Sequence, residues 1–278
     1  MVVTSSTSTA FKRAQPGFAS RQLRPRGDGA TQPITTVELF FDLVYVFAVT
    51  QLSHLILNDL SVAGVAHAGF LLVVVWWAWI CTTWMANWFD PASPVVRAVL
   101  TGVMLASLLM AAALPEALGE HGVLFAVSYV ALQVGRNLAA AALLARDHPL
   151  RDVFERLVAW SAVSGVLWLA GAALDGDQRL LVWIAALALD LMAPVAGYWL
   201  PGRGRNATTD YDIEGGHFAE RCQGFIIIAL GESIVVTGAT AANAGLTATA
   251  LPVLPLPSSR RQRCGGCTSA PRPSSRAP

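Results

Sequence analysis

The sequence predicts an all-α fold: a polytopic transmembrane helical bundle of about seven spans with its N-terminus cytoplasmic. Three observations predict it. Of 278 residues, 54% are hydrophobic and only 13% charged, against roughly a quarter charged in soluble domains. The apolar residues are gathered in runs of about twenty nearly free of charge, the length a helix needs to cross a hydrocarbon core ~30 Å thick. The basic residues gather in alternate connectors between those runs.

Residues 1–33 are rich in Ser, Thr, Gly and basic side chains. They carry too little apolar surface to offset the entropy of ordering and read as a disordered segment. No short hydrophobic core with a small-residue cleavage site marks a removable signal peptide; the Arg/Ser composition also suits an organelle transit peptide. Residues 34–245 form the transmembrane domain, with spans expected at about 36–57, 66–86, 95–114, 123–145, 157–174, 180–200 and 222–242. Backbone groups in lipid must be satisfied within the segment, and the polar-in, apolar-out alternation of a barrel is missing, so the spans are helices.

With the N-terminus inside, cytoplasmic segments carry Lys12, Arg13, Arg21, Arg24, Arg26, Arg97, Arg146, Arg151, Arg156, Arg203, Arg205 and Arg221. The first three outside loops carry only Arg179. Such asymmetry is the positive-inside signal. Trp84, Trp88, Tyr198 and Trp199 sit near the inner ends of their spans, as an interfacial aromatic belt requires.

The rule conflicts with the tail, residues 251–278, which lies outside after a seventh span yet carries five arginines from Arg260 to Arg276. Arginine outnumbers lysine eighteen to one, a sign of GC-rich coding, and out-of-frame GC-rich DNA encodes such Pro, Ser and Arg. A frameshift or premature end is expected there, with a genuine disordered tail as the rival.

Net charge is +1, and no block of alternating aromatic and basic residues suggests base stacking, so nucleic acid is excluded as a partner. Cys81, Cys222, Cys264 and Cys267 are scattered and imply no disulfide framework. A single Cys264/Cys267 pair lacks the further ligands of a zinc site. There is no phosphate loop, nucleophile elbow or metalloprotease helix, so no enzyme activity, cofactor or metal is expected.

Charges inside apolar spans are costly and mark functional candidates. In VELFFDLVYVFAVTQLSH, Glu38, Asp42 and Tyr45 are spaced by four and three and share a helix face. Two carboxylates so close resist joint ionisation unless a cation or an arginine lies between them. The pair is therefore either a cation or proton site or a structural ion pair with an arginine of another helix.

In GGHFAERCQGFIIIALGESIVVTG, His217 and Arg221 are four apart, Arg221 and Glu232 eleven apart, and Glu220 points elsewhere. Gly224 and Gly231 lie near the same stripe, where they suit close helix packing. His217, at the membrane edge, reads as a surface histidine. Arg136 interrupts the fourth span and Asp190 the sixth, four residues before Pro194. Charge balance predicts that Arg136 pairs with Asp42, Asp190 or Glu232, and Pro194 frees a carbonyl near Asp190. His54 and His67 lack ligand spacing and read as helix-end or packing residues.

Together, TTVELFFDLVYVFAVTQLSH and HFAERCQGFIIIALGESIVVTG resemble the low temperature requirement protein A family of bacterial membrane proteins. The resemblance covers about residues 33–245, and its motif positions would be Glu38, Asp42, Glu220, Arg221, Gly231 and Glu232. It implies a multi-pass protein of the bacterial cytoplasmic (inner) membrane, linked to growth at low temperature without an established biochemical activity. Members are longer, with more spans, and this chain departs from them after about residue 250. The expected function is cation or proton-coupled transport through Glu38, Asp42, Arg136, Asp190, Arg221 and Glu232. The alternative is a non-transporting membrane component in which the charges act as internal ties. Expected partners are the lipid bilayer, a small cation or proton, and a second copy of the chain. Glu38 and Glu220 each open an inward-to-outward span, the hint of an internal repeat.

Overall fold

Thr35 starts the first helix. Its hydroxyl accepts the Glu38 backbone N–H at 3.4 Å while the Glu38 carboxylate accepts the Thr35 N–H at 2.9 Å, a capping box that satisfies two orphan donors. Ser61 caps the second helix by accepting the Gly64 N–H at 3.0 Å. Pro94 and Pro149 open the third and fifth, where a missing N–H costs nothing.

The structure, a computed structural model, describes residues 22–24, 34–206 and 215–243. Its helices are α1 Thr36–Asn58, α2 Val62–Ala86, α3 Pro94–Ala113, α4 Gly122–Leu143, α5 Pro149–Ala172, α6 Gly176–Val195 and α7 Gly215–Asn243. A 3-10 turn, Leu114–Glu116, follows α3. Helices α1 to α6 are long and apolar enough to cross a membrane. With 29 residues, or about 43 Å at 1.5 Å per residue, α7 is a seventh candidate. Residues 238–278 form a separate unit, in which 238–243 are helical. The tail that the sequence suggests is frameshifted, with Cys264 and Cys267, lies outside the described residues.

Most helix ends fall within four residues of the expected spans, but three do not. α5 begins at Pro149 rather than near 157 because its charged first turns stay helical, held by Arg151–Glu155 at 3.0 Å and Arg156–Asp152 at 2.6 Å. Hydropathy sees only the lipid-crossing part. α7 likewise begins at Gly215, ahead of its apolar run. α6 stops at Val195, short of the expected 200. Pro194 sits in its last turn and ends the helix rather than bending its middle, and Gly197 and Tyr198 follow at φ 62° and 47°. For a tyrosine that left-handed conformation costs roughly 1–2 kcal/mol, and it turns Tyr198 back into the bundle.

Lipid tails are as apolar as leucine, so the helices are held by packing and internal polar bonds rather than by exclusion from water. Phe40, Leu43, Leu105, Val166 and Leu181 face outward. Trp79, Trp168 and Trp183 are fully enclosed. α1 packs on α2 and α3, α3 on α4, α4 on α2 and α5, and α5 on α6. Between α4, α5 and α6, Trp168 lies 4.6 Å from Tyr129 and 5.2 Å from Trp183, centroid to centroid. Gly171 makes room for this stack: a Cβ there would meet Trp183 at 2.5 Å. Gly171→Val is expected to cost about 1–3 kcal/mol through overpacking, seen as a lower unfolding temperature in detergent. An unchanged midpoint would contradict that packing.

At one end of the bundle the chain before α1 docks onto the α2–α3 connection. Leu23 forms an antiparallel bridge with Phe89, and Arg24 donates its backbone N–H to the Trp88 carbonyl at 2.9 Å. The reading of residues 1–33 as disordered therefore does not hold for 22–24. A buried Arg24 side chain gives that segment a polar anchor that composition does not reveal. At the same end Arg156 donates to the carbonyls of Arg203 at 2.8 Å and Gly204 at 2.7 Å. At the opposite end buried Arg179 donates to the carbonyls of Leu174, at 2.9 Å, and Gly119, joining the α3–α4 and α5–α6 connections.

Candidate functional site

Two buried polar clusters stand out. The first joins α1, α2 and α7 near the end where Arg24 docks. Because Glu38 and Asp42 are one turn apart, both present carboxylates to α7. Glu38 Oε1 accepts from Arg24 Nη2 at 2.6 Å, lies 3.1 Å from His217 Nε2 and 3.8 Å from Arg221 Nη1. Its Oε2 accepts from the Thr35 backbone and hydroxyl, both at 2.9 Å. Asp42 Oδ1 accepts from Arg221 Nη2 at 2.7 Å and Trp79 Nε1 at 2.8 Å. The Arg221 guanidinium also lies over Phe41, 5.5 Å from its centroid. Trp79 stacks on Phe225 at 4.5 Å. The arginine between the carboxylates, one of the two arrangements the sequence leaves open, is thus Arg221. Among the described residues, the Glu38 and Asp42 carboxylates are met by the Arg24 and Arg221 guanidiniums, with His217 beside Glu38. Tyr45, on the same α1 face, accepts from the Ser107 hydroxyl of α3 at 3.0 Å.

His217 is buried, not a surface residue, because its spacing of four from Arg221 places both against Glu38. Glu220 is exposed on the other side of α7. Glu232 is half-buried and accepts from the Thr50 hydroxyl at 2.8 Å. A Cβ on Gly224 or Gly231 would meet nothing within 4 Å, so among the described residues these glycines do not serve close packing.

The second cluster lies between α2, α4, α5 and α6. Asp190 Oδ2 accepts from Tyr129 Oη at 2.9 Å and Trp168 Nε1 at 3.2 Å, and Gln133 Nε2 donates to Tyr129 Oη at 3.0 Å. Arg136 Nε donates to Asn137 Oδ1 at 3.3 Å and Nη1 to Thr82 Oγ1 at 3.1 Å. The expected ion pair of Arg136 with Asp42, Asp190 or Glu232 does not form. Asp42 is taken by Arg221, Glu232 by Thr50, and Asp190 by neutral donors. Among the described residues, neither Arg136 nor Asp190 has an opposite charge within 4 Å.

Both charges line one cavity of about 30 Å³ with Gln133, Asn137 and Ser161. Arg136 also borders a cavity of about 220 Å³ between α3 and α4. Arg24, Trp79, Tyr129, Gln133 and Trp168 belong to these clusters, yet the sequence reading misses them. The Thr35-x-x-Glu38 capping pattern was the one signal available for Glu38's structural role.

These features define a multi-pass helical membrane protein with charge enclosed among its helices. Residues 33–256 match the family described as bacterial low temperature requirement A protein (LtrA), and the chain belongs to that family, as its two motifs imply. Over 202 residues it is 41% identical to an uncharacterized protein of Rhizobium meliloti (strain 1021), the aligned part covering 72% of this chain and 49% of that protein. The chain thus spans about half the length of this curated relative. No solved structure matches.

Proposed function

We propose that this LtrA protein is a proton- or cation-coupled transporter of the bacterial cytoplasmic membrane, with Asp190 as the working carboxylate. The observation that carries this reading is the pairing state of the buried charges. A charge kept inside a membrane bundle without a directly paired counter-ion is costly and persists where function needs it, and Asp190 is hydrogen-bonded only to neutral donors, with Arg136 lining the same polar cavity rather than touching that carboxylate. Arg136 supports it by bordering cavities on both sides of α4. The gathering of Arg24, Arg97, Arg151, Arg156, Arg203 and Arg221 at one end favours a cytoplasmic N-terminus.

In liposomes holding the full chain and an imposed pH gradient, Asp190→Asn is expected to abolish proton flux while leaving the unfolding temperature within a few degrees of the parent. Flux at the parent rate in that variant would end the reading.

The first cluster favours the second reading, a non-transporting component supporting growth at low temperature, for its own part of the molecule. Glu38, Asp42, Arg24 and Arg221 balance one another and cap or clamp helices, which is what internal ties do. Glu232, tied to Thr50, is left without a transport role.

A further inference from the structure

The cavity of Arg136 and Asp190 presents one cationic and one anionic side chain from different helices, each lacking an opposite charge within 4 Å. Gln133, 4% exposed, lines the same cavity, and its Oε1 is buried without a hydrogen-bond partner. A buried acceptor left unpaired is costly and gains from a donor. The cavity therefore offers a guanidinium donor and, across it, a carboxylate and an amide oxygen as acceptors. A simple anion would satisfy Arg136 and face Asp190 unfavourably, and a simple cation the reverse. A molecule carrying both charges satisfies both.

The polar cavity is small, about 30 Å³, room for roughly two waters, which a charged headgroup would displace. It adjoins a larger chamber of about 250 Å³, because Trp77, Cys81, Leu157 and Tyr198 line both. The chamber's remaining walls are Ile80, Trp84 and Pro194, an apolar and aromatic surface. A polar head and an apolar body thus have neighbouring compartments with four lining residues in common.

We infer that this space binds a small zwitterion with an apolar side chain, its carboxylate on Arg136, its ammonium on Asp190 and Gln133, and its side chain in the tryptophan-lined chamber. The inference rests on the transport reading for its purpose and names that transporter's substrate class. Binding itself requires no transport.

The test measures equilibrium binding of tritiated L-leucine to the purified full chain in detergent, with competition by 4-methylpentanoate, which lacks the ammonium, and by 3-methylbutylamine, which lacks the carboxylate. Leucine is expected to bind saturably, and each analogue to compete about tenfold or more weakly, as loss of one partner from a buried charge pair requires. Asp190→Asn should remove most leucine binding. It should also narrow the advantage of leucine over 4-methylpentanoate, a change that a merely destabilised protein would not show. Absence of saturable leucine binding, or equal competition by all three molecules, overturns the inference. Saturable binding with no leucine uptake or proton flux in liposomes upholds the site and ends the transport reading. Proton flux without leucine binding does the opposite.

Discussion

Replacing Arg221 with methionine is expected to destabilise the protein by about 3–5 kcal/mol, the usual cost of stripping one partner from a buried ion pair. The size follows from what the guanidinium touches. It lies 2.7 Å from Asp42 and 3.8 Å from Glu38 and is almost fully enclosed, so its loss leaves Asp42 with only the Trp79 indole N–H as donor among the described residues. It also lies over Phe41, which the flexible methionine can still cover; the loss is therefore electrostatic rather than steric. Polar bonds of His217, Arg221 and Glu232 tie α7 to the rest of the bundle, so loss of the Arg221 bond should make α7 detach first.

The measurement is unfolding in detergent followed by tryptophan emission, with Trp79 as the local reporter through its stacking on Phe225. Asp42→Asn combined with Arg221→Met should recover much of the loss, because no uncompensated charge then remains at Asp42. A single variant as stable as the parent, or a double variant worse than the single, would contradict the clamp.

The helices were legible in the sequence because length and apolarity are properties of each segment alone. Twenty uncharged residues must form a helix in lipid whatever packs beside them. The ends of α5, α6 and α7 were not, since Asp152, Glu155 and the turn at Gly197 and Tyr198 obey local capping and chain reversal rather than hydropathy. Within the site, spacing correctly put Glu38 and Asp42 on one face, His217 and Arg221 on another, and Glu220 away from both. Which face meets which is tertiary information. Nothing in the spacing of Arg136 says that Arg221 has already claimed Asp42, or that the neutral donors for Asp190 come from Tyr129 and Trp168 on two other helices. Arg24 was hidden because an anchor made by one backbone bridge and one buried guanidinium leaves no periodic trace.

Paired neutralisation separates the roles of the two clusters. Two double variants of the full chain, Asp42→Asn with Arg221→Gln and Asp190→Asn with Arg136→Gln, would be placed in liposomes at equal protein density, and proton flux under the same imposed gradient compared with the parent. Both doubles remove one positive and one negative side chain, so net charge is conserved and neither leaves a lone buried ion. The Asp42/Arg221 double is expected to keep flux within about threefold of the parent. The Asp190/Arg136 double is expected to lose flux by about a hundredfold or more, the scale on which removal of a proton-transferring group acts. Flux retained by the Asp190/Arg136 double, or lost only in the Asp42/Arg221 double while both proteins stay folded, would contradict those roles.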